Sequence, residues 1–193
     1  MPPKRSISSR SAPTIRPRRS RPSSLSPKPR HQTSITTGRS NTSLTRPVMA
    51  AAETLFLDTN IIMYAIGTDH PLKPACVAAL RQVEAGTIQV VTNVEVFQEL
   101  LHRYYAIGRH EVAAHAFTHL KALCEQVLPV LEADLDRAFA ILNDHPHINV
   151  RDALHAATML NGGLRTILST DTHFDTIPEI TRIDPRTLLF PNN

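Results

Sequence analysis

A short apolar run that stops on a carboxylate constrains the fold of this chain more than any other feature. Residues 55–57 are apolar, and Asp58, Thr59 and Asn60 follow at once. An uninterrupted apolar run of this kind is typical of a parallel strand covered on both faces, whose carboxyl end opens into the crevice where α/β proteins bind ligands. The acid has two interpretations, a ligand site or a cap for the following helix, since all three polar residues accept hydrogen bonds from helix amides.

Apolar strands and amphipathic helices alternate through the rest of residues 51–193. Because strands separated by one or two helices pair in parallel through right-handed crossovers, the pattern predicts an α/β fold, a three-layer α/β/α sandwich with a central, mainly parallel sheet. Further strands are predicted at residues 88–91, 127–131, 166–168 and 180–183, and helices at residues 61–66, 75–86, 94–107, 109–126, 132–144 and 149–161.

The net charge of +4 averages two different segments. Residues 1–50 contain 11 of the 21 Lys and Arg residues and no Asp or Glu, so residues 51–193 carry a net charge of −7. An acidic domain that acts on nucleic acid needs cations between its carboxylates and the phosphates. The charge balance therefore favours a metal-dependent site over a simple basic groove.

Residues 1–50 are rich in Ser, Arg and Pro and have almost no large apolar residue, so we expect a disordered basic tail ahead of a domain at residues 51–193. The tail has three interpretations: an electrostatic arm that holds RNA, an organelle transit peptide, or an upstream stretch that is absent from a natural protein starting at Met49. Cys76 and Cys124 are too isolated for a disulfide framework, and no apolar stretch approaches the roughly 18 residues that span a bilayer. A cytoplasmic protein without membrane contact is expected.

Four acids occupy comparable places in the predicted fold. Asp58 follows the first strand, Glu99 lies in the helix after the second strand, Asp152 begins a helix, and Asp171 follows the fourth strand. Two of them come directly after apolar strands, whose carboxyl ends meet at one edge of a parallel sheet. An isolated cap needs no such company, whereas a metal site does.

Each of the later acids also has a purely structural interpretation. Glu99 has Arg103 four residues ahead as a helix ion pair, and Asp152 completes a capping pair with Asn149. Asp171 is placed to cap the turn that follows it. Glu95, one helical turn before Glu99, is the alternative acid of its helix.

With these motifs the chain resembles the PIN-domain ribonucleases, and among them the VapC-like toxins of bacterial toxin-antitoxin modules. All four acidic positions of the family pattern are filled, in the right order, within a match that spans residues 54 to about 185. Asn93 stands where Ser or Thr is common, and the basic tail has no family counterpart. The resemblance rests on residues 57–60, 93–100, 151–157 and 169–175.

The resemblance implies a metal-dependent endoribonuclease in which Asp58, Glu99, Asp152 and Asp171 are catalytic. It implies that Asp58, Asp152 and Asp171 hold Mg²⁺ or Mn²⁺, that Glu99 is a further ligand or orients the attacking water, and that Asp175 joins them through a water. Such hard ions take oxygen ligands, keep several waters and lower the pKa of a bound water, so no side-chain nucleophile is needed. Residues that orient the carboxylates or touch substrate are Thr59, Asn60, Thr170 and His155. The two threonines have caps as their alternative, and His155 has packing within its helix.

The resemblance also implies an RNA substrate, a small cognate antitoxin protein and a homodimer. Two other functions compete with the nuclease. A catalytically silent PIN-like protein would bind RNA or act as a scaffold without cutting. A haloacid-dehalogenase-type phosphatase would need a second Asp where this chain has Asn60.

Overall fold

The computed structural model describes residues 54–188, so the predicted basic tail at residues 1–50 lies outside the described residues. Two 3-10 helices, Thr172–Thr176 and Pro185–Leu188, accompany the strands and α-helices of this part of the chain. In chain order these are β1 (Thr54–Leu57), α1 (Thr59–Ile66), α2 (Lys73–Glu84), β2 (Gln89–Asn93), α3 (Val94–Ala106), α4 (His110–Leu123), β3 (Gln126–Leu128), α5 (Glu132–Asp144), α6 (Val150–Asn161), β4 (Thr166–Leu168) and β5 (Thr181–Ile183).

The strands form one sheet in the order β3-β2-β1-β4-β5, and all four pairings are parallel. The predicted α/β fold with a mainly parallel sheet is therefore confirmed. From β1 the chain adds β2 and β3 on one side and then crosses over to add β4 and β5 on the other. Such a reversal opens a crevice between the two central strands at their carboxyl ends. In this fold the crevice lies after β1 and β4.

The central strand is buried on both faces, as its unbroken apolar run predicts. Phe56 and Leu57 are fully buried, and so are Ile167 and Leu168 on β4. Helix α6 presents a run of small buried residues to this core, which lets its backbone approach closely. The site residues that follow these strands consequently stand on fully buried strands of the core.

Two predicted boundaries differ from the structure at the edge of the sheet. Helix α4 ends at Leu123 instead of residue 126, because the amide of Glu125 already donates to the Val90 carbonyl at 2.9 Å. Strand β3 ends at Leu128 instead of residue 131. Pro129 follows it and has no amide hydrogen to continue a ladder.

Candidate active site

Asp58 forms hydrogen bonds with β4 and the residue that follows it, and its side chain does not cap α1. It stands at the N-cap position of α1, yet its side chain makes no capping hydrogen bond. Its amide donates to the Leu168 carbonyl at 3.2 Å, and its Oδ2 accepts from the hydroxyl of Ser169 at 2.5 Å and from the side-chain amide of Asn60. The capping interpretation of Asp58 is therefore wrong for its side chain.

Asn60, Ser169 and Thr170 complete a closed set of hydrogen bonds with Asp58, which we name the β1–β4 clasp. The Asn60 amide nitrogen also donates to Ser169 Oγ at 3.0 Å, and its Oδ1 accepts from the Thr170 backbone at 3.2 Å. Ser169 Oγ in turn accepts from the amide of Asp171 at 2.9 Å. The clasp thus fixes Asp58 and the start of the Asp171 turn relative to each other.

Asp152 and Asp171 lie together with His173, and ligand atoms of the three residues are all within 4.8 Å of one another. Asn149 caps α6 by accepting from the amides of Arg151 and Asp152, and its Nδ2 donates to Asp152 Oδ2 at 2.6 Å. The predicted pairing of Asn149 with Asp152 is therefore confirmed.

Asp171 has two functions available to it in the same place. Its Oδ1 accepts from the His173 amide at 2.9 Å, which confirms the predicted cap of the following turn. The same oxygen lies 3.0 Å from His173 Nδ1, and the side chain remains 29% exposed. Capping one turn therefore leaves this carboxylate accessible to a ligand.

Burial and neighbouring charges disfavour the ionised forms of two acids in the cluster. Burial, and then the charges of Asp58 and Asp171, raise the pKa of Asp152 to about 7. Burial also raises the pKa of Asp58, in spite of its clasp hydrogen bond and the nearby His155. A divalent cation would relieve this repulsion, because an opposite charge favours the ionised carboxylates.

Glu99 differs from the other acids because it has basic partners. Its Oε1 lies 3.6 Å from both His155 Nε2 and Arg151 Nε, and its side chain is only 10% exposed. Burial alone would raise the pKa of Glu99, but His155 and Arg151 outweigh it and hold the pKa below its usual value. The predicted pair with Arg103 is not found among residues 54–188.

His155 is fully buried beneath Glu99 and therefore out of reach of RNA. Burial would lower its pKa, but Glu99 and then Asp58 raise it above the usual value. His155 was predicted to orient a carboxylate or to touch substrate, and only the first role is compatible with this buried position. The alternative prediction, a residue packed within its helix, also fits. Glu95, the alternative acid, is only half-buried, and Glu99 shares a hollow of about 310 Å³ with Asn149 and Asp152.

Asp175 is not brought into the acidic group. Its carboxylate receives two hydrogen bonds of 2.8 Å from Arg182 on β5, and it is 48% exposed.

Thr170 reaches the site through its backbone in the clasp. Thr59 is buried beside Asp58. Sequence reasoning missed Ser169 and His173, although Ser169 follows β4 just as Asp58 follows β1, which is the signal that would have identified it.

The donor set fits a hard divalent cation. Carboxylate oxygens dominate it, and these are the ligands that Mg²⁺ and Mn²⁺ prefer. Beside the acids, the buried Nε2 of His155 lies 3.6 Å from Glu99, so this ring supports Glu99 and leaves the remaining carboxylates free for an ion.

Known proteins are similar to this chain over the same region. The family model described as PIN domain matches residues 55–180. The chain is 36% identical over 129 residues to Ribonuclease VapC13 of Mycobacterium tuberculosis, an alignment that covers 67% of this chain and 98% of that protein.

Two solved structures share the fold. Mycobacterium tuberculosis VapC20, described as a Sarcin-Ricin loop cleaving toxin, has a TM-score of 0.52 at 18% identity and covers 65% of this chain and 98% of its own. A toxin-antitoxin complex from Klebsiella pneumoniae has a TM-score of 0.50 at 17% identity and covers 68% and 97% of the two chains. At these identities the likeness shows the fold alone.

Proposed function

The chain belongs to the PIN-domain family, and on that premise we propose that it is an endoribonuclease and the toxin of a type II toxin-antitoxin pair. The observation that carries the proposal is the convergence of acids from separate segments on the crevice between β1 and β4. Asp58 is held there by the clasp, and burial, then the charges of Asp58 and Asp171, raise the pKa of Asp152. The relative named as a ribonuclease, aligned over 98% of its length, supports the reaction class.

We infer that Asp152, Asp171 and Asp58 hold Mg²⁺ or Mn²⁺. When bound, such an ion supplies Lewis acidity to the phosphodiester and lowers the pKa of a water ligand. A divalent cation held here would favour the ionised form of Asp152, whose proton burial and the charges of Asp58 and Asp171 otherwise retain. The clasp orients the Asp58 carboxylate, since Ser169 and Asn60 both donate to its Oδ2.

Glu99 has a different role in this proposal. It stays ionised because His155 and Arg151 lower its pKa, so it is ready to accept a hydrogen bond from the attacking water and orient it. A haloacid-dehalogenase-type phosphatase would need an acid at position 60. Asn60 instead donates a hydrogen bond to Asp58, which argues against that alternative. The expected products carry a 5′-phosphate and a 3′-hydroxyl.

The proposed partners are RNA, a small antitoxin protein and a second copy of the chain. A partner that presents a cation to Asp152 and Asp171 would satisfy the same charges that a metal ion satisfies, and so would compete with substrate. Leu131 at the N-cap of α5, and Leu135 and Phe139 within it, are 57–67% exposed at a spacing of four residues, which supports a self-association surface. Sedimentation of the chain and of Phe139→Asp tests the homodimer.

No helix within residues 54–188 has the length and apolar character to cross a lipid bilayer. We propose a cytoplasmic location, since RNA is available there and the free thiols of Cys76 and Cys124 stay reduced in that compartment.

The deciding experiment is RNA cleavage by the full chain with Mg²⁺ or Mn²⁺, with a chelator, and with Asp58→Asn. We expect cleavage that needs the ion and falls at least 100-fold in the variant, because Asp58 anchors the site. Asp144→Asn, an exposed acid at the end of α5, is the matched control and should cleave normally. Failure of the unmodified chain to cut any RNA with either ion would contradict the proposal and favour the silent scaffold.

A further inference from the structure

One short segment carries two of the three residues that are grouped at the acidic site. Residues 169–175, which we call the site turn, lead from β4 into the first 3-10 helix and contain Asp171 and His173. The beginning of the site turn is fixed by the β1–β4 clasp, in which Ser169 takes part. A turn held at one end alone could swing its carboxylate away from Asp152, so its far end needs a second anchor.

The second anchor is the guanidinium group of Arg182 on β5. Its Nε and Nη2 donate to the two carboxylate oxygens of Asp175, both at 2.8 Å. Its Nη1 donates to the Ser169 carbonyl at 3.1 Å and to Asp184 Oδ2 at 3.3 Å. One planar, rigid group therefore holds both ends of the site turn, and Asp171 lies between them.

Arg182 is itself held in place by its surroundings. Its side chain is only 11% exposed, against 48% for Asp175. Asp184, which is 13% exposed, contacts Arg182 from the other side and is paired with Arg186 at 2.6 Å. Two parallel hydrogen bonds from an arginine to a carboxylate are stronger and more directional than the contact of a surface ion pair. The fork therefore fixes the distance between the two ends of the site turn.

We propose that Arg182 and Asp175 form a brace that positions the site turn, and with it Asp171, beside the ion. Asp175 then acts through its pairing with Arg182 and is not itself a ligand. The inference rests on the proposed function, because it concerns the geometry of the same acidic site. Two other interpretations compete with it: a surface ion pair that affects stability alone, and an Asp175 that leaves Arg182 to bind the ion.

Charge and position make opposite predictions for one of the two partners. Arg182→Gln removes a positive charge near the acids, so by charge alone a cation should bind more tightly. Asp175→Asn removes a negative charge and by the same argument should bind a cation more weakly. A brace instead predicts weaker binding in both variants, because each leaves the site turn without its second anchor. A loss in both variants is therefore the signature of positioning.

The first test measures Mn²⁺ binding by the full chain, without RNA, from the electron paramagnetic resonance signal of the free ion. We expect Arg182→Gln and Asp175→Asn each to weaken binding about tenfold, the scale on which partners of metal ligands act. Arg182→Lys should weaken it as well, since lysine keeps the charge but lacks the fork. Arg165→Gln is the matched control and should bind Mn²⁺ normally, because Arg165 is 56% exposed and pairs with Glu179 outside the site turn.

Each other result of this test contradicts the brace. Tighter or unchanged binding in Arg182→Gln would show that the arginine does not position the ligands. A loss in Asp175→Asn alone would assign that carboxylate to the ion. Normal binding in all variants would leave only a surface ion pair.

The second test follows the site turn in the metal-free protein by hydrogen exchange. The amides of Asp171 and His173 are hydrogen-bonded within the turn, to Ser169 Oγ and Asp171 Oδ1, both at 2.9 Å. We expect Arg182→Gln to speed exchange in residues 170–176 about tenfold relative to α2, because the turn opens locally once its second anchor is lost. Exchange in α2 shows whether the variant is folded. Equal acceleration in both regions, or none in the site turn, would overturn the inference.

Neither measurement uses cleavage, so the brace and the nuclease can fail separately. If the unmodified chain cuts RNA with Mn²⁺ while Arg182→Gln behaves as Arg165→Gln does, the brace is wrong and the nuclease stands. If no RNA is cut but Arg182→Gln and Asp175→Asn lose Mn²⁺ affinity and exchange faster in the site turn, the brace stands and the nuclease falls.

Discussion

At the scale of single residues, Asp152 is where function works against stability. The pKa of Asp152 is about 7 in the folded protein and has the ordinary value of 3.8 in the unfolded chain. Between these pH values the folded protein therefore retains a proton that the unfolded chain releases. A raised pKa for an acid stabilises the folded state below the unfolded pKa, and the benefit is lost as pH rises through the folded pKa. The free energy of unfolding in chelator should therefore fall between pH 3.8 and about 7.

We expect Asp152→Asn to unfold at higher denaturant than the unmodified chain at pH 7.5 in chelator, by about 1–3 kcal/mol. Asparagine keeps an oxygen that accepts from Asn149 Nδ2 and removes the like charge. Urea unfolding at pH 5 and 7.5 measures the effect, and RNA cleavage should be lost in the same variant. Asp144→Asn, remote from the cluster, should change stability by less than about 0.5 kcal/mol. A less stable Asp152→Asn at pH 7.5 would show that the carboxylate is not repelled.

At the scale of elements, α6 is joined to the site through its N-cap. Asn149 accepts from two amides of the first turn and donates to Asp152. We expect Asn149→Ala to lower the free energy of unfolding by about 1 kcal/mol, because the capping acceptor is lost. Asn149→Asp keeps that acceptor, yet it places another carboxylate against Asp152. It should therefore retain the cap at pH 5 and lose stability at pH 7.5 in chelator, as followed by urea unfolding. Identical behaviour of the two variants at both pH values would contradict a separate capping role.

Most element positions could be predicted from the sequence, and the exceptions have physical causes. Helix α5 and strand β4 have the predicted bounds, since α5 begins on acids and β4 lies between turn signals. The predicted ends of the third strand were wrong, because pairing with the neighbouring strand decides where this edge strand starts and stops. Hydrophobic periodicity carries no information about that pairing.

Within the site, the order of the acids could be predicted from the sequence, but the side chains that hydrogen-bond to them could not. Ser169 meets Asp58 only because β4 lies beside β1, and Arg182 reaches Asp175 only because β5 lies beside β4. Such contacts depend on strand order, which one sequence does not specify. The clasp that holds Asp58 and the pairing that occupies Asp175 were therefore visible only in the fold.

At the scale of the whole molecule, the basic residues before Met49 and the folded domain have opposite charge. All described strands and helices lie within residues 54–188, so removal of residues 1–48 should change the free energy of unfolding by less than about 0.5 kcal/mol. RNA affinity should fall, and its salt slope should decrease, since 11 cations leave with the segment.

A full-length chain with those Lys and Arg residues changed to Gln is the matched control and should bind RNA as the truncated protein does. Urea unfolding and RNA binding at several salt concentrations measure the two effects. Loss of cooperative unfolding on truncation would show that the segment belongs to the folded domain.

The β1–β4 clasp closes over 111 residues of sequence between Asp58 and Ser169. Contacts of such high sequence separation form late, because the entropy of closing the intervening loop must be overcome before they stabilise anything. A nascent chain emerging from the ribosome therefore carries Asp58 long before it carries the groups that orient it. The site around Asp58 is thereby completed only when synthesis of the domain is nearly finished.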